Sequence, residues 1–300
     1  MPSYAVDKCG AVISYQRWPW ADMSQPKLFG ILNITEDSFS DGRKFLAPDA
    51  ALAQAEKLIG DGADVLDLGG ASSNPDSAPV PAKTEIARLR PIVEQGKKRN
   101  WPISIDSFAP ETQIWALKEG VEYLNDIQGF PYPEHYPDLA RAEAKLIVMH
   151  SVQELGRAQR VETDSATILD RIAGYFDQRV SALTRAGIAR ERLILDPGMG
   201  FFLGSSPEVS LTVLKGLSKL KSAFGLPLFV SVSRKGFLRK LTGRPVADIG
   251  PASLSAELYA ARHGADMIRT HDPKAFRDAL TIWCHIEQSG SIPAGRPEAD

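Results

Sequence analysis

The sequence is short of cysteine, of long apolar runs and of surplus charge, and each shortage removes a class of protein. Two cysteines in 300 residues, Cys9 and Cys284, cannot build a disulfide framework and have no metal-ligand spacing around them. They read as free thiols of a reducing compartment, so the expected location is the cytoplasm. No apolar run approaches the roughly 20 residues that span a bilayer, and the N-terminus lacks the charged, apolar and small-residue order of a signal peptide. No membrane association is expected. Lys and Arg number 35 against 37 Asp and Glu, a net charge of -2, which leaves no basic face to neutralise a phosphate backbone and argues against a nucleic-acid partner. Several catalytic signatures are also missing: there is no G-x-S-x-G elbow, P-loop or H-E-x-x-H. The GMGFFLG segment holds a G-x-G, but its glycine spacing is wrong for a dinucleotide turn and it follows Asp196 and Pro197.

What is present is a repeated theme. Residues 1–23 show neither strand alternation nor helical period and are expected to form a loose N-terminal extension, while 289–300, rich in Gly, Pro and Ser, should form a frayed C-terminal tail. Between them, in 24–288, a short apolar run, a polar residue or Gly and a helix-length amphipathic stretch recur eight times. The strand candidates are 28–34, 64–70, 103–107, 122–127, 145–150, 192–196, 227–233 and 266–271. Runs this continuous suit strands buried on both faces, as in a parallel sheet. Helical stretches such as 51–62, 83–99, 168–187 and 253–264 supply the crossovers. The expected fold is therefore α/β, a single (β/α)8 TIM barrel whose active site lies at the C-terminal ends of the strands.

Each strand candidate ends on a group that can bind or react: Asn33, Asp67, Asp106, Asn125 with Asp126, His150, Asp196, Ser233 to Lys235, and Arg269 with His271. One polar strand end is usually a cap or loop anchor; eight converging on one mouth point to a site. Asp106, Asn125, Asp196 and Lys235 combine carboxylate, amide and ammonium, the complement of a flat heterocycle with guanidine-like N–H donors on one edge and a carbonyl on another, such as a pterin. Arg269 and His271 lie two apart on the last strand, face the same way and are suited to grip an anion such as pyrophosphate. The segment ILNITEDSFSDG reads equally well as a turn and cap before the helix near Pro48 or as a lid over the site, with Thr35, Asp37, Ser38 and Phe39 in the loop and the Asn33 oxygen at its base as a ligand for Mg2+.

The series ILNITEDSFSDG, GADVLDLGG, SIDSF, NDIQG, VMH, LDPGMGF, SVSRKGF and GADMIRTHD, in this order from about Leu28 to Ile286, resembles the dihydropteroate synthases of folate biosynthesis. The resemblance implies a homodimeric TIM barrel that condenses 6-hydroxymethyl-7,8-dihydropterin pyrophosphate with p-aminobenzoate, with Mg2+ as cofactor. It implies that Asp106, Asn125, Asp196 and Lys235 hold the pterin, and that Asn33, Arg269 and His271 hold the pyrophosphate and its metal. Asp106, Asp196, Lys235, Arg269 and His271 would be the catalytic set. Two departures stand out. The chain reads GGASSNP where the family pattern is G-G-E-S-T-R-P, and its GMGFFLGSSPE loop carries an added Phe. Together they resemble the sulfonamide-insensitive synthases carried on mobile elements, in which such an insertion narrows the p-aminobenzoate site. Ser73, Asn74, Pro75, Phe201, Lys235 and Gly236 would then discriminate p-aminobenzoate from sulfonamides, Gly236 standing where the family usually has Ser. The competing readings are a non-catalytic pterin-binding paralogue and a methyl-transferring barrel that binds a related pterin.

Overall fold

The structure, a computed structural model, describes residues 4–6, 12–14, 25–35, 48–72, 78–153 and 162–288. Two short strands come first, β1 (Tyr4–Val6) and β2 (Val12–Ser14), paired antiparallel with Tyr4 opposite Ser14. The sequence reading anticipated no strand here, because three residues are too few for alternation to register. Eight strands then form one parallel sheet: β3 (Lys27–Asn33), β4 (Val65–Gly69), β5 (Ile103–Asp106), β6 (Tyr123–Asp126), β7 (Lys145–Met149), β8 (Leu193–Asp196), β9 (Phe229–Val230) and β10 (Met267–Thr270). Their order is β8-β7-β6-β5-β4-β3-β10-β9, and a parallel bridge between Leu195 and Leu228, with Leu195 N–H donating to Pro227 O at 2.9 Å, closes the sheet into a barrel. The segment 227–233 gives only two residues of regular ladder, because beyond Val230 the chain leaves its neighbours and turns at Arg234, whose φ is 56°.

The crossovers are α1 (Pro48–Gly60), α2 (Ala82–Arg99), α3 (Pro110–Glu119), α4 (Tyr136–Arg141), α5 (Ile168–Arg185), α6 (Pro207–Phe224), α7 (Gly236–Thr242), α8 (Gly250–Arg262) and α9 (Pro273–Gln288). Their ends follow local chemistry. In α6, Pro207 supplies the helical φ, the Ser206 hydroxyl accepts from Glu208 N–H at 3.3 Å, and Gly225 closes the helix in the left-handed region. In α5 the buried residues Ile168, Ile172, Phe176, Val180 and Leu183 fall at three- and four-residue intervals, which puts them on one stripe against the sheet.

Strand parity divides the core. Residues facing out of the barrel, among them Leu28, Leu32, Leu66, Leu68, Leu124, Leu146, Val148 and Leu195, join the helices in one large apolar cluster. The alternate residues Phe29, Val65, Tyr123, Ile147, Ile194, Phe229 and Met267 form a separate plug inside the barrel. Phe29 anchors that plug with edge-on contacts to Tyr123 and Phe229, each at 5.0 Å between centroids. No described helix is long and apolar enough to cross a membrane.

Candidate active site

Two residues beyond the plug, on the same inward face, the strands turn polar: Asp67 follows Val65, Asn125 follows Tyr123, Asp196 follows Ile194 and Arg269 follows Met267. Asp106 completes this layer, above the buried Ser104. The polar mouth thus rests on an apolar floor, so its charges interact in a medium that screens them poorly.

Arg269 is the centre of the layer. Its Nε donates to Asp67 Oδ2 at 2.5 Å and its Nη2 to Asp106 Oδ2 at 2.6 Å. These carboxylates hold the guanidinium above its ordinary pKa despite burial. Burial pushes Asp106 up to about 7, against the pull of Arg269 and Lys235. Burial also pushes Asp196 up to about 6, opposed by the Gly198 N–H, which donates to Oδ1 at 2.8 Å, and by Lys235. Lys235 is driven the other way, down to about 8, by burial and by Arg269, with Asp196 and Asp106 partly restoring it. Asp106, Asp196 and Lys235 therefore lie close to proton exchange near neutral pH, where an incoming charged ligand shifts all three.

Two acceptors in this layer lack donors. Asp67 Oδ1 and Asn125 Oδ1 are buried without a hydrogen-bond partner among the described residues. Each such atom costs on the order of 1–3 kcal/mol, which a ligand presenting N–H groups would recover. The neighbour of Asn125, Asp126, does different work: it accepts from Gln128 N–H, Phe130 N–H and Gln113 Nε2, and so ties down the following loop. His150 is likewise structural. Its Nδ1 lies 3.2 Å from Pro197 O, and burial lowers its pKa to about 4. The turn after β8 lies directly on it: a Cβ on Gly198, whose φ is 76°, would sit 2.4 Å from His150 O.

Lys235 lies at the N-terminus of α7, with its Nζ 5.4 Å from the centre of the Phe202 ring. Beside it opens a cleft of 540 Å³ lined by Phe201, Gly236, Ser205, Arg239 and Arg244 among others. Phe201 keeps 43% of its surface exposed. Its loop is fastened by Gln153 Nε2 donating to Phe201 O at 2.8 Å and Val152 N–H donating to Phe202 O at 2.9 Å. A Cβ on Gly236 would lie 3.7 Å from Phe201 Cζ, so the ring faces the start of α7 at contact distance.

His271 follows Arg269 by two residues, with its Nδ1 3.0 Å from Ser233 Oγ. Asn33 ends β3 opposite Gly69, where a Cβ would approach the Asn33 Oδ1 to 3.2 Å. Thr35 is buried beyond it, with no hydrogen-bond partner for its Oγ1 among the described residues. No group of three or more His, Cys, Asp or Glu side chains among the described residues could cage a metal ion. Asp37, Ser38, Phe39, Ser73, Asn74 and Pro75 lie outside the described residues. The sequence reading noted Asp67 as a polar strand end without assigning it to the site; its inward parity with Val65 was the available signal.

Residues 29–271 match the family described as pterin binding enzyme. Dihydropteroate synthase type-2 of Escherichia coli is 57% identical over 265 residues, covering 88% of this chain and 97% of that protein. Among solved structures, the dihydropteroate synthase of Xanthomonas albilineans with 4-aminobenzoic acid superposes with a TM-score of 0.78 at 31% identity, covering 96% of this chain and 99% of that one. The dihydropteroate synthase of Anaplasma phagocytophilum with bound 6-hydroxymethylpterin-monophosphate gives 0.77 at 33% identity, covering 88% of this chain and all 100% of the other. With this polar mouth on a closed parallel barrel, the chain belongs to the dihydropteroate synthases of the pterin-binding enzyme family.

Proposed function

We propose that the chain condenses 6-hydroxymethyl-7,8-dihydropterin pyrophosphate with p-aminobenzoate, that Asp106, Asn125, Asp196 and Lys235 hold the pterin, and that Arg269, His271 and Asn33 hold the pyrophosphate. The observation that carries this assignment is the mouth itself: charge-balanced carboxylates around Arg269 and Lys235, with orphaned acceptors at Asp67 and Asn125. Asp196 and Asn125 would accept from the N–H edge of the ring, and Lys235 would donate to its carbonyl. As the C–O bond to pyrophosphate breaks, Arg269 exchanges part of its carboxylate pairing for the leaving oxyanion. The carboxylates it releases then face the cationic methylene left on the pterin. The amine of p-aminobenzoate forms the new C–N bond and gives up a proton.

Asn33 fits a Mg2+ site of the kind that uses few protein ligands, since Mg2+ keeps several waters and takes phosphate oxygens in place of an acidic cage. Asn33 would hold the ion, which would supply neutralisation of the pyrophosphate charge. The Phe201 ring against Gly236 supports sulfonamide insensitivity: it walls the cleft where a group larger than p-aminobenzoate would extend. A homodimer in the cytoplasm completes the proposal, with exposed Leu241, Tyr259, Ile282 and Ile286 on α7 to α9 as apolar surface for a second copy. The test of the activity is mass-spectrometric identification of 7,8-dihydropteroate from the two substrates and the purified chain. Binding of the pterin pyrophosphate without that product would favour the non-catalytic reading.

A further inference from the structure

Glu85, in the first turn of α2, is a carboxyl of 1% exposure that the reaction above does not use. Its Oε2 accepts from two hydroxyls, Ser107 Oγ at 3.0 Å and Thr112 Oγ1 at 2.6 Å, while its Oε1 has no hydrogen-bond partner among the described residues. Ser107 is the residue after Asp106, and Thr112 lies in the first turn of α3. The Ser107 hydroxyl gives its one proton to Glu85 and accepts from Ala109 N–H at 3.1 Å, so the bond to Glu85 also fixes the bend from β5 into α3. One helical turn after Glu85, Arg88 Nη1 donates to Gly70 O at 3.0 Å, just past the end of β4.

The ladder between β4 and β5 ends with Gly69 opposite Asp106, so beyond that pair α2 links the exits of the two strands. Those strands carry Asp67 and Asp106, the carboxylates that share Arg269. The link has no slack. A Cβ on Gly70 would fall 2.8 Å from Glu85 Cγ and 3.0 Å from Glu85 O, so the helix lies directly on the backbone at the β4 exit. Close packing of this kind transmits a displacement instead of absorbing it. The Ser107 backbone is tied separately, its N–H donating to Asn125 O at 3.0 Å and its carbonyl accepting from Gln113 Nε2 at 2.8 Å, which refers it to β6 and α3. A guanidinium is planar with its donors in a fixed fork, so Nε and Nη2 of Arg269 reach both carboxylates over a narrow range of separations.

We propose that Glu85 is a positioning residue for the reaction: through Ser107 it sets the separation of Asp106 from Asp67, and so the orientation in which Arg269 meets the leaving pyrophosphate. The last step rests on reading Arg269 as part of the anion grip; the effect on the Arg269 pairing does not. Because both hydroxyls bond to one oxygen, this role is separable from the charge of Glu85 and from its part in packing. A glutamine offers the same single acceptor. Thr112 is bonded to Glu85 without adjoining Asp106, whereas Ser107 joins the two.

The experiment pairs ¹⁵N-arginine spectroscopy of the full chain, with the Arg269 signals assigned from an Arg269→Lys variant, with steady-state kinetics on the pterin pyrophosphate and p-aminobenzoate. In the parent protein Asp106 holds Arg269 Nη2, so rotation of the guanidinium should be slow and its two Nη signals separate. Glu85→Ala and Ser107→Ala should merge these signals and lower kcat by about tenfold or more, toward the roughly hundredfold that a misplacement of about 1 Å costs, with the KM for p-aminobenzoate near that of the parent. Glu85→Gln should restore both readings. Thr112→Val, which frees Glu85 from α3 alone, should lower the melting temperature while leaving the Arg269 signals and kcat as in the parent. If the Glu85 variants do not fold, Ser107→Ala against Thr112→Val carries the comparison. Parent-like Arg269 signals or kcat in Ser107→Ala, equal losses in Thr112→Val, or a folded Gln variant that restores neither reading overturns the positioning role. Arg269 signals that respond as described in a chain that releases no pyrophosphate overturn the anion-grip reading instead.

Discussion

Asp196→Asn separates the ligand role of this carboxyl from its cost to the fold. In the unfolded chain the Asp196 carboxyl titrates near 3.8, whereas burial in the mouth raises it to about 6. Between those values the folded protein binds more protons than the unfolded chain, so the contribution of Asp196 to stability falls as pH rises and is lowest above the folded value. At about 1.36 kcal/mol per pH unit, a shift of about 2 units corresponds to roughly 3 kcal/mol. The Asn variant carries no such proton. Its unfolding free energy relative to the parent should therefore rise by about 3 kcal/mol from pH ~4 to pH ~6.5 and then level off. The window stops there because Lys235, which loses the Asp196 partner in the variant, gives up its proton at lower pH than in the parent and would add a further rise on the approach to pH 8. Urea denaturation at several pH values gives the difference directly. The same variant should bind the pterin pyrophosphate about a hundredfold more weakly, as expected for loss of a charged hydrogen-bond acceptor worth up to about 3 kcal/mol. Parallel stability curves across this range would show that Asp196 is not desolvated as described, and unchanged pterin affinity would remove it from the ring pocket.

Three other substitutions probe separate parts of the account. Arg269→Ala leaves Asp67 and Asp106 facing each other without their cation, so thermal or chemical denaturation near pH 8 should show a loss of about 3–5 kcal/mol, shrinking as the pH is lowered toward 5. Phe29→Ala opens the centre of the barrel plug and should cost about 3–5 kcal/mol in unfolding free energy with little change in KM, since Phe29 lies beneath the polar layer. Phe201→Gly removes the wall that faces Gly236 and should lower the sulfonamide inhibition constant at least about tenfold, the equivalent of 1.4 kcal/mol, while changing the KM for p-aminobenzoate less.

The barrel was legible because its strands are buried on both faces and end on polar residues, so that LFGILN, VLDLG and LILD stand out as runs with a fixed inward parity. The pairing of Asp106 with Arg269 was not legible. These residues are 163 positions apart, and only the parallel pairing of β10 with β3 brings them together with Asp67. Asn125 and Asp126 are adjacent in sequence and equally polar, yet strand parity sends one into the mouth and the other to the Phe130 loop. Glu85 was hidden for a different reason: on an amphipathic helix a first-turn Glu reads as a solvated position, and its burial depends on the packing of α2 against α3. Lengths were least legible at β9, where seven apolar and hydroxyl residues give two of ladder.

The most direct test of the central claim is steady-state pyrophosphate release by the purified chain with Mg2+ and the pterin pyrophosphate, measured with p-aminobenzoate, without it, and with a sulfonamide added. The account predicts release that requires p-aminobenzoate and persists at sulfonamide concentrations well above that of the substrate. Strong inhibition by the drug would contradict the role given to Phe201 and Gly236, and absence of release despite pterin binding would contradict the assignment of Arg269 and His271 to the leaving group.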